Sequence, residues 1–380
     1  MENYTEISPY SDDEVPGIIR RLKDNQVFLS KFSQFSFPII SSIFPLLGNV
    51  LFKLKFSRFF GDSQSIEDFQ KNIAPLFTQM INTTTDGFSI TGEENLLGKP
   101  TVFIGNHRDI ALDAAFLNYT LYMKDLKTAR IAIGDNLLDK DFAEDLMRLN
   151  KSFIVHRNII GIKETYRKLH RLSSYIYKSI TVDLESIWIA QREGRANDGN
   201  DSTDIAVLKM LFLSTRNTLE LKEWLEKINL TPVVISYEYD PLDAVKVRGR
   251  DGWKELDKDI NNKRDVEELI AGIRGNKGRV HLHICKPIRS ELTSLDQIAE
   301  AIDISIQRNY KLWPTNYFSA KELSKTYSSY KNLYEDNNKY KELSVFMKRF
   351  QNEKRSTTEQ ILKNYAYPVL NQKKVRIKSS

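Results

Sequence analysis

The chain has 380 residues, enough for one large domain or two moderate ones. Its hydrophobic content of 41% and aromatic content of 11% exclude a largely disordered polymer, and a formal charge of +6, from 56 basic against 50 acidic residues, is too mild to mark a nucleic-acid binder. The single cysteine, Cys285, excludes an intramolecular disulfide and a cysteine-rich zinc site.

The first residues, MENYTEISPYSDDE, are acidic and polar and lack the basic-then-apolar order of a secretory signal. Phe32 to Phe52 carries no charged residue, and a bilayer crossing needs about 20 apolar residues. Pro38, Pro45 and Gly48 interrupt it, however, so a continuous spanning helix would be poor. Three readings stand: an apolar hairpin or broken helix lying in a membrane interface, a helical pair buried on the rest of the protein, or a true span. Flanking cations (Arg20, Arg21, Lys23 and Lys31 before; Lys53, Lys55 and Arg58 after) favour the first, because they suit anionic headgroups.

From Ser65 to Thr83 the apolar spacing predicts a helix that Pro75 must kink or start. Beyond Gly87 short branched runs alternate with amphipathic stretches. The expected strands are 88–92, 101–105, 129–134, 152–155, 186–190, 232–239 and 279–285, with helices over 111–124, 139–150, 162–180 and 204–214. This alternation predicts an α/β domain with a mostly parallel central sheet flanked by helices, an N-terminal apolar helical segment and a C-terminal helical extension.

The expected division is 1–86, helical and membrane-proximal; 87–310, the α/β domain, with an insertion at about 240–276; and 311–380, helical with a basic tail. The insertion holds Arg248, Arg250, Trp253 and a mixed-charge run, which reads most simply as a solvated helix face. Helical character is expected to Lys363, and the tail beyond it suits an anionic membrane surface or a frayed end.

The strand TVFIG runs into Asn106-His107-Arg108-Asp109, and a helix is expected to begin near Ile110. A histidine at a strand-to-helix turn, at the carboxyl edge of a parallel sheet, is placed where functional loops gather and is suited to proton abstraction. Asp109 and Asp113 are both near enough in sequence to orient it, as the acid of a catalytic triad does. The other acid would then cap or decorate the helix start. His281 and His283 share one face of an expected strand with no carboxylate or thiol cluster nearby, so no metal site is expected. The string H-R-D does not make a kinase loop, because Ala114 stands where that motif needs a magnesium-binding asparagine.

In these residues the chain resembles the glycerolipid acyltransferase superfamily, which includes lysophosphatidate and glycerol-3-phosphate acyltransferases. Four blocks in order carry the resemblance over about 88–310: GNHRDIALD for N-H-x4-D, NKSFIVHR (150–157), SIWIAQREGRANDG (186–199) and TPVVISYEY (231–239). Two departures stand out. Asp113 lies six residues after His107 rather than five, and Arg192 stands where the third block usually has proline.

The resemblance implies that His107, oriented by Asp113 or Asp109, takes the proton of an acceptor hydroxyl as its oxygen attacks the thioester of acyl-CoA or acyl-carrier protein. It places the acceptor's phosphate on Arg157 and on Glu193, Gly194 and Arg195, with Arg192 a further candidate. A mutual ion pair between Arg157 and Glu193 is the alternative for those two. The implied acceptor is a lysophospholipid, 1-acylglycerol-3-phosphate first, with glycerol 3-phosphate or an aminolipid hydroxyl as alternatives and a non-catalytic lipid-binding protein as the rival class. No cofactor, metal or nucleic-acid partner is implied. The expected setting is the cytoplasmic face of a phospholipid membrane, peripheral or shallowly inserted.

Overall fold

The computed structural model describes residues 3–135, 141–157, 159–196, 198–250, 268–331, 333 and 344–379. Trp253, most of the mixed-charge run and the side chain of Arg250 lie outside the described residues. In chain order come five helices, α1 (Val15–Asp24), α2 (Gln26–Ser36), α3 (Pro38–Ile43), α4 (Pro45–Phe60) and α5 (Ile66–Thr84). Then follow β1 (Phe88–Thr91), β2 (Val102–Gly105), α6 (Leu112–Met123), β3 (Arg130–Gly134), α7 (Asp141–Leu149), β4 (Ser152–Val155), α8 (Ile162–Thr181) and β5 (Ile187–Ala190). The remainder is α9 (Ile205–Phe212), α10 (Leu221–Ile228), β6 (Thr231–Tyr237), α11 (Asp243–Arg250), β7 (Val280–Ile284), α12 (Leu295–Asn309), α13 (Pro314–Ser324), α14 (Ser344–Lys348) and α15 (Arg355–Ser379). The α/β class is as expected, with each predicted strand within two residues of its observed bounds.

Two compact units share the chain, residues 1–79 with 129–165, and residues 80–128 with 166–380. In the first unit β3 and β4 pair in parallel, and the amide of Ile154 donates to Ile7 O at 2.9 Å. Its core is a run of phenylalanines, Phe28, Phe52, Phe56, Phe60 and Phe69, whose rings meet edge-on or tilted at centroid separations such as 5.2 Å for Phe28–Phe56 and 4.9 Å for Phe60–Phe69.

The uncharged stretch 32–52 is divided where prolines occupy first helical positions, at Pro38 in α3 and Pro45 in α4, because proline fixes φ and lacks an N–H. One face of α2 and α4 joins the phenylalanine core. Helix α3, the junction after it and the outer face of α4 leave Ile39, Ile43, Phe44, Leu46, Val50 and Leu54 exposed, Leu46 at 81%. Among the described residues no helix is long and apolar enough to cross a membrane.

In the second unit five strands lie in the order β1-β7-β6-β2-β5. All the pairings are parallel except β6 with β7. Every residue of β2 and β6 is buried, as continuous apolar runs require when both faces are covered. A second core gathers Ala320, Phe346, Phe350, Ile361, Tyr365 and Ala366 from α13–α15. Helix α15 continues through Pro368 to Ser379, past Lys363 where helical character was expected to end.

His281 on β7 bonds Ser89 Oγ through Nδ1 at 2.8 Å and Thr91 Oγ1 through Nε2 at 2.9 Å. Thr91 Oγ1 also meets His283 Nδ1 at 2.7 Å. Hydroxyls of β1 thus serve both histidines, and β1 and β7 are tied side chain to side chain as well as by their ladder. Burial, helped by the charge of Lys311, pushes the His281 pKa down to about 4. The unfolded chain binds this proton first, so its contribution to stability is whole above about pH 6.5 and is lost as pH falls towards 4. Urea midpoints measured at about pH 7 and about pH 4.5 are expected to separate clearly for the native chain, and His281→Gln is expected to narrow the separation.

Candidate active site

Beyond Gly105 the chain turns through residues 106–111 before α6 begins. Asn106 pins the turn: its Nδ2 donates to Ile235 O at 3.0 Å and its Oδ1 accepts from Ile235 N at 2.9 Å. The side-chain amide thereby stands in for one more residue of the β2–β6 ladder. His107 follows, with its ring edge-on to Trp188 at 5.7 Å between centroids.

His107 Nδ1 lies 2.9 Å from Asp113 Oδ2. The same oxygen accepts the amides of Arg108 at 2.6 Å and Asp109 at 2.9 Å, and Oδ1 accepts from the Tyr237 hydroxyl at 2.9 Å. Two backbone amides and a hydroxyl thus already donate to Asp113; an ionised carboxylate only accepts, so opposite it the imidazole holds its hydrogen on Nδ1 and its lone pair on Nε2. The His107 side chain keeps 17% of its surface exposed, whereas that of Asp113 keeps 2%. Burial, followed by the charge of Asp113, raises the Tyr237 pKa well above its ordinary value. That phenol stays protonated and remains a donor.

Asp113 reaches back because it occupies the first turn of α6, where Cα–Cβ bonds tilt toward the helix N-terminus. Asp109 takes a different position. Its Oδ1 accepts the amides of Ala111 and Leu112, both at 3.0 Å, satisfying donors that a helix start leaves open. Gly272 passes so close that a Cβ there would stand 2.6 Å from Asp109 Oδ2. Burial, then repulsion from Asp113, holds the Asp109 pKa above the usual carboxylate range. Of the two acids considered, Asp113 contacts the imidazole and Asp109 holds the turn.

The loop after β5 lies against the His107 turn: Gln191 N donates to Gly105 O at 2.8 Å and Ala196 N to His107 O at 2.7 Å. Gly194 takes φ +74°, a conformation that costs a residue with a Cβ more than it costs glycine. Arg195 is largely buried. Its Nη2 donates to Glu268 Oε2 at 2.7 Å, while its buried Nη1 has no hydrogen-bond partner among the described residues. Arg192 stands 3.5 Å from Asp198, and Glu193 is exposed. Arg157 belongs to the first unit, where its amide donates to Asp135 Oδ1 at 3.2 Å.

Several residues around His107 carry no motif signal in the sequence. Arg108, buried, bonds Asp201 and donates to Gly199 O, and its guanidinium lies 5.2 Å from the centre of the Tyr310 ring. Burial pulls its pKa down, but Asp201 more than offsets this and holds it above the ordinary value. Lys246 bonds Arg108 O and the Asp240 carboxylate. Among the described residues no group of three or more His, Cys, Asp or Glu is placed to hold a metal ion.

The sequence model of the Acyltransferase family matches residues 87–201, from β1 through the loop after β5. That stretch holds the His107 turn and the loop after β5, and its likeness is to the Acyltransferase family. No curated protein matches the chain. A solved structure similar to it is the 1-acyl-sn-glycerophosphate (LPA) acyltransferase PlsC from Thermotoga maritima, 13% identical, covering 74% of this chain and 94% of that one with a TM-score of 0.38.

Two of the cavities among the described residues border the sheet of the second unit. A cavity of about 30 Å³, bordered by Arg108, Tyr237, Lys246 and Tyr310, has room for about one water. A larger one, about 370 Å³, is bordered by Thr101, Phe103, Leu121 and Ser186, so it opens at the amino ends of β2 and β5. His107 lies beyond the opposite end of β2.

Proposed function

We propose that the protein transfers a fatty acyl group from acyl-CoA or acyl-carrier protein to a glycerolipid hydroxyl, 1-acylglycerol-3-phosphate first among the acceptors. The observation that carries this reading is the His107–Asp113 pair, with Nε2 left as a base, on a turn whose backbone meets the loop after β5, within residues that match the Acyltransferase family model. Nε2 takes the hydroxyl proton as the oxygen attacks the thioester carbonyl. Asp113, fixed by Tyr237 and two amides, stabilises the imidazolium. Collapse of the tetrahedral intermediate forms the ester and breaks the carbon–sulfur bond, and the proton passes from imidazolium to the departing thiolate. The thioester is already activated, so base catalysis and positioning suffice without a prosthetic group or a metal.

The resemblance assigns the acceptor's phosphate to Arg157, Arg192, Arg195 and the Glu193–Gly194 turn. Arg195 supports it on physical grounds. Glu268 orients one terminal nitrogen and leaves the other a buried donor with no acceptor among the described residues, and a guanidinium matches phosphate geometry. Labelled acyl-CoA and acyl-carrier protein, offered with 1-acylglycerol-3-phosphate, glycerol 3-phosphate and an aminolipid, test the assignment by mass spectrometry of the lipid product. Product is expected with the first. Product with another acceptor reassigns the substrate, and incorporation into none, with active controls, leaves the lipid-binding protein as the reading.

The reading includes peripheral, shallow attachment to the cytoplasmic face of a membrane through α3 and α4. Their exposed apolar side chains and the neighbouring Lys53, Lys55 and Arg58 suit an interface with anionic headgroups. Leu46→Glu/Leu54→Glu is expected to weaken binding to anionic vesicles by about tenfold or more, measured by flotation. Undiminished binding would remove α3–α4 as the anchor.

A further inference from the structure

We propose that Ile160 and Ile162 form a second point of insertion into the lipid surface, on the loop that follows Arg157. This deepens the membrane-enzyme reading above and rests on it. The occupant is a bilayer bearing anionic headgroups.

Ile160 is 93% exposed and Ile162 90%, more than any other large apolar side chain among the described residues. Scattered exposed apolar residues are ordinary. Two isoleucines this exposed, one residue apart, are not a packing residue of any core, and each presents nearly its whole surface to solvent.

The exposure is built in. Gly161 between them takes φ +93°, so the chain reverses locally. Thr165 then clamps the turn, its amide and its hydroxyl both donating to Gly161 O at 2.9 Å. On the other side of the loop, Arg157 N is held on Asp135. Both isoleucines thus lie beside a turn that Thr165 holds, which lowers the entropy cost of presenting them to a partner.

Charge selects a lipid surface rather than an apolar protein groove. Arg157 precedes the pair and Lys163 follows it directly, so the apolar tip is flanked by cations that would meet headgroup phosphates as the side chains enter the acyl region. The loop leaves the carboxyl end of β4, where loops of a parallel pair carry function, and Arg157 is itself among the residues assigned to the acceptor's phosphate.

The test uses the full chain. Cys285 is its only cysteine and is buried, so Ile160→Cys can be labelled selectively with an environment-sensitive fluorophore. On vesicles of phosphatidylcholine with phosphatidylglycerol, the emission is expected to shift to the blue and to be quenched by brominated acyl chains. Ile160→Ser/Ile162→Ser is expected to bind these vesicles about fivefold to tenfold more weakly while keeping transfer to a water-soluble short-chain acceptor. An unshifted label on protein that sediments with vesicles overturns the proposal, as does unchanged affinity of the double variant. The fluorescence readout needs no turnover. A shifted, quenched label on a chain that transfers no acyl group upholds the insertion and sinks the enzymatic reading alone.

Discussion

Asp113→Asn is expected to lower acyl transfer by about 10³–10⁴-fold, the loss seen when the acid of a catalytic triad becomes an amide. His107→Ala is expected to lose at least as much. The geometry makes the asparagine variant an informative one. Its amide oxygen can still accept from His107 Nδ1 and the amides of Arg108 and Asp109, and its NH₂ can donate to the Tyr237 oxygen. The fold is therefore retained while the negative charge opposite the imidazolium is removed. Asp109→Asn is the control. Its oxygen can go on capping Ala111 and Leu112, and transfer is expected within about tenfold of the native rate. Tyr237→Phe removes one donor from Asp113, strengthens that carboxylate as a partner for the imidazolium, and is expected to move the acidic limb of the pH–rate profile up by about 0.5–1 pH unit. A role in packing alone would leave the limb where it is. Comparable losses in Asp109→Asn and Asp113→Asn, with both variants folded by circular dichroism, would sink the Asp113 assignment.

Replacing Arg108 by methionine is expected to destabilise the protein by about 3–5 kcal/mol, because Asp201 would be left buried without its cation. Burial already raises the Asp201 pKa, and the Arg108 guanidinium opposes that rise most strongly. Removing both charges together, Arg108→Met/Asp201→Leu, is expected to recover most of the loss, since a buried pair replaced by apolar groups is often near neutral. Urea unfolding of the two single variants and the double one gives the coupling directly. Additive losses would show that the pair does not act as a unit. Arg108 also presents its amide to Asp113 and its carbonyl to Lys246. Backbone groups survive the substitution, so a variant that stays folded is expected to keep much of its transfer activity.

Much of this was legible in the chain because it is local. Strands such as TVFIG and SIWIA are short branched runs bounded by polar residues, and a period-2 or buried run is decided by its own residues. The broken character of 32–52 was equally local, since Pro38 and Pro45 act through their own rings. Helix α10 went unread, although Trp224, Leu225 and Ile228 place an apolar face on it. The tail beyond Lys363 became helical because Ala366, Val369 and Val375 are buried there, and packing of that kind outweighs the weak propensity of a basic end. Pro75 and Pro368 both sit inside helices, α5 and α15, for the same reason: tertiary contacts set the limits of a helix more strongly than one residue does.

By itself the sequence determined the α/β class, the strands in chain order, and the placing of His107 at the turn after β2, all consequences of periodicity and of residues acting on their own backbone. Tertiary structure decided three things that no window of sequence contains. It set β7 antiparallel to β6, because alternate burial marks a strand's faces and not its direction. It grouped residues 129–165 with the N-terminal helices in one compact unit, because contacts and not chain order define such a unit. And it gave the two acids different partners. Spacing favoured neither Asp109 nor Asp113 decisively. The backbone turns once more before α6 begins, and the first helical turn then points Asp113 back at His107 Nδ1 while Asp109 is spent on the helix's open amides.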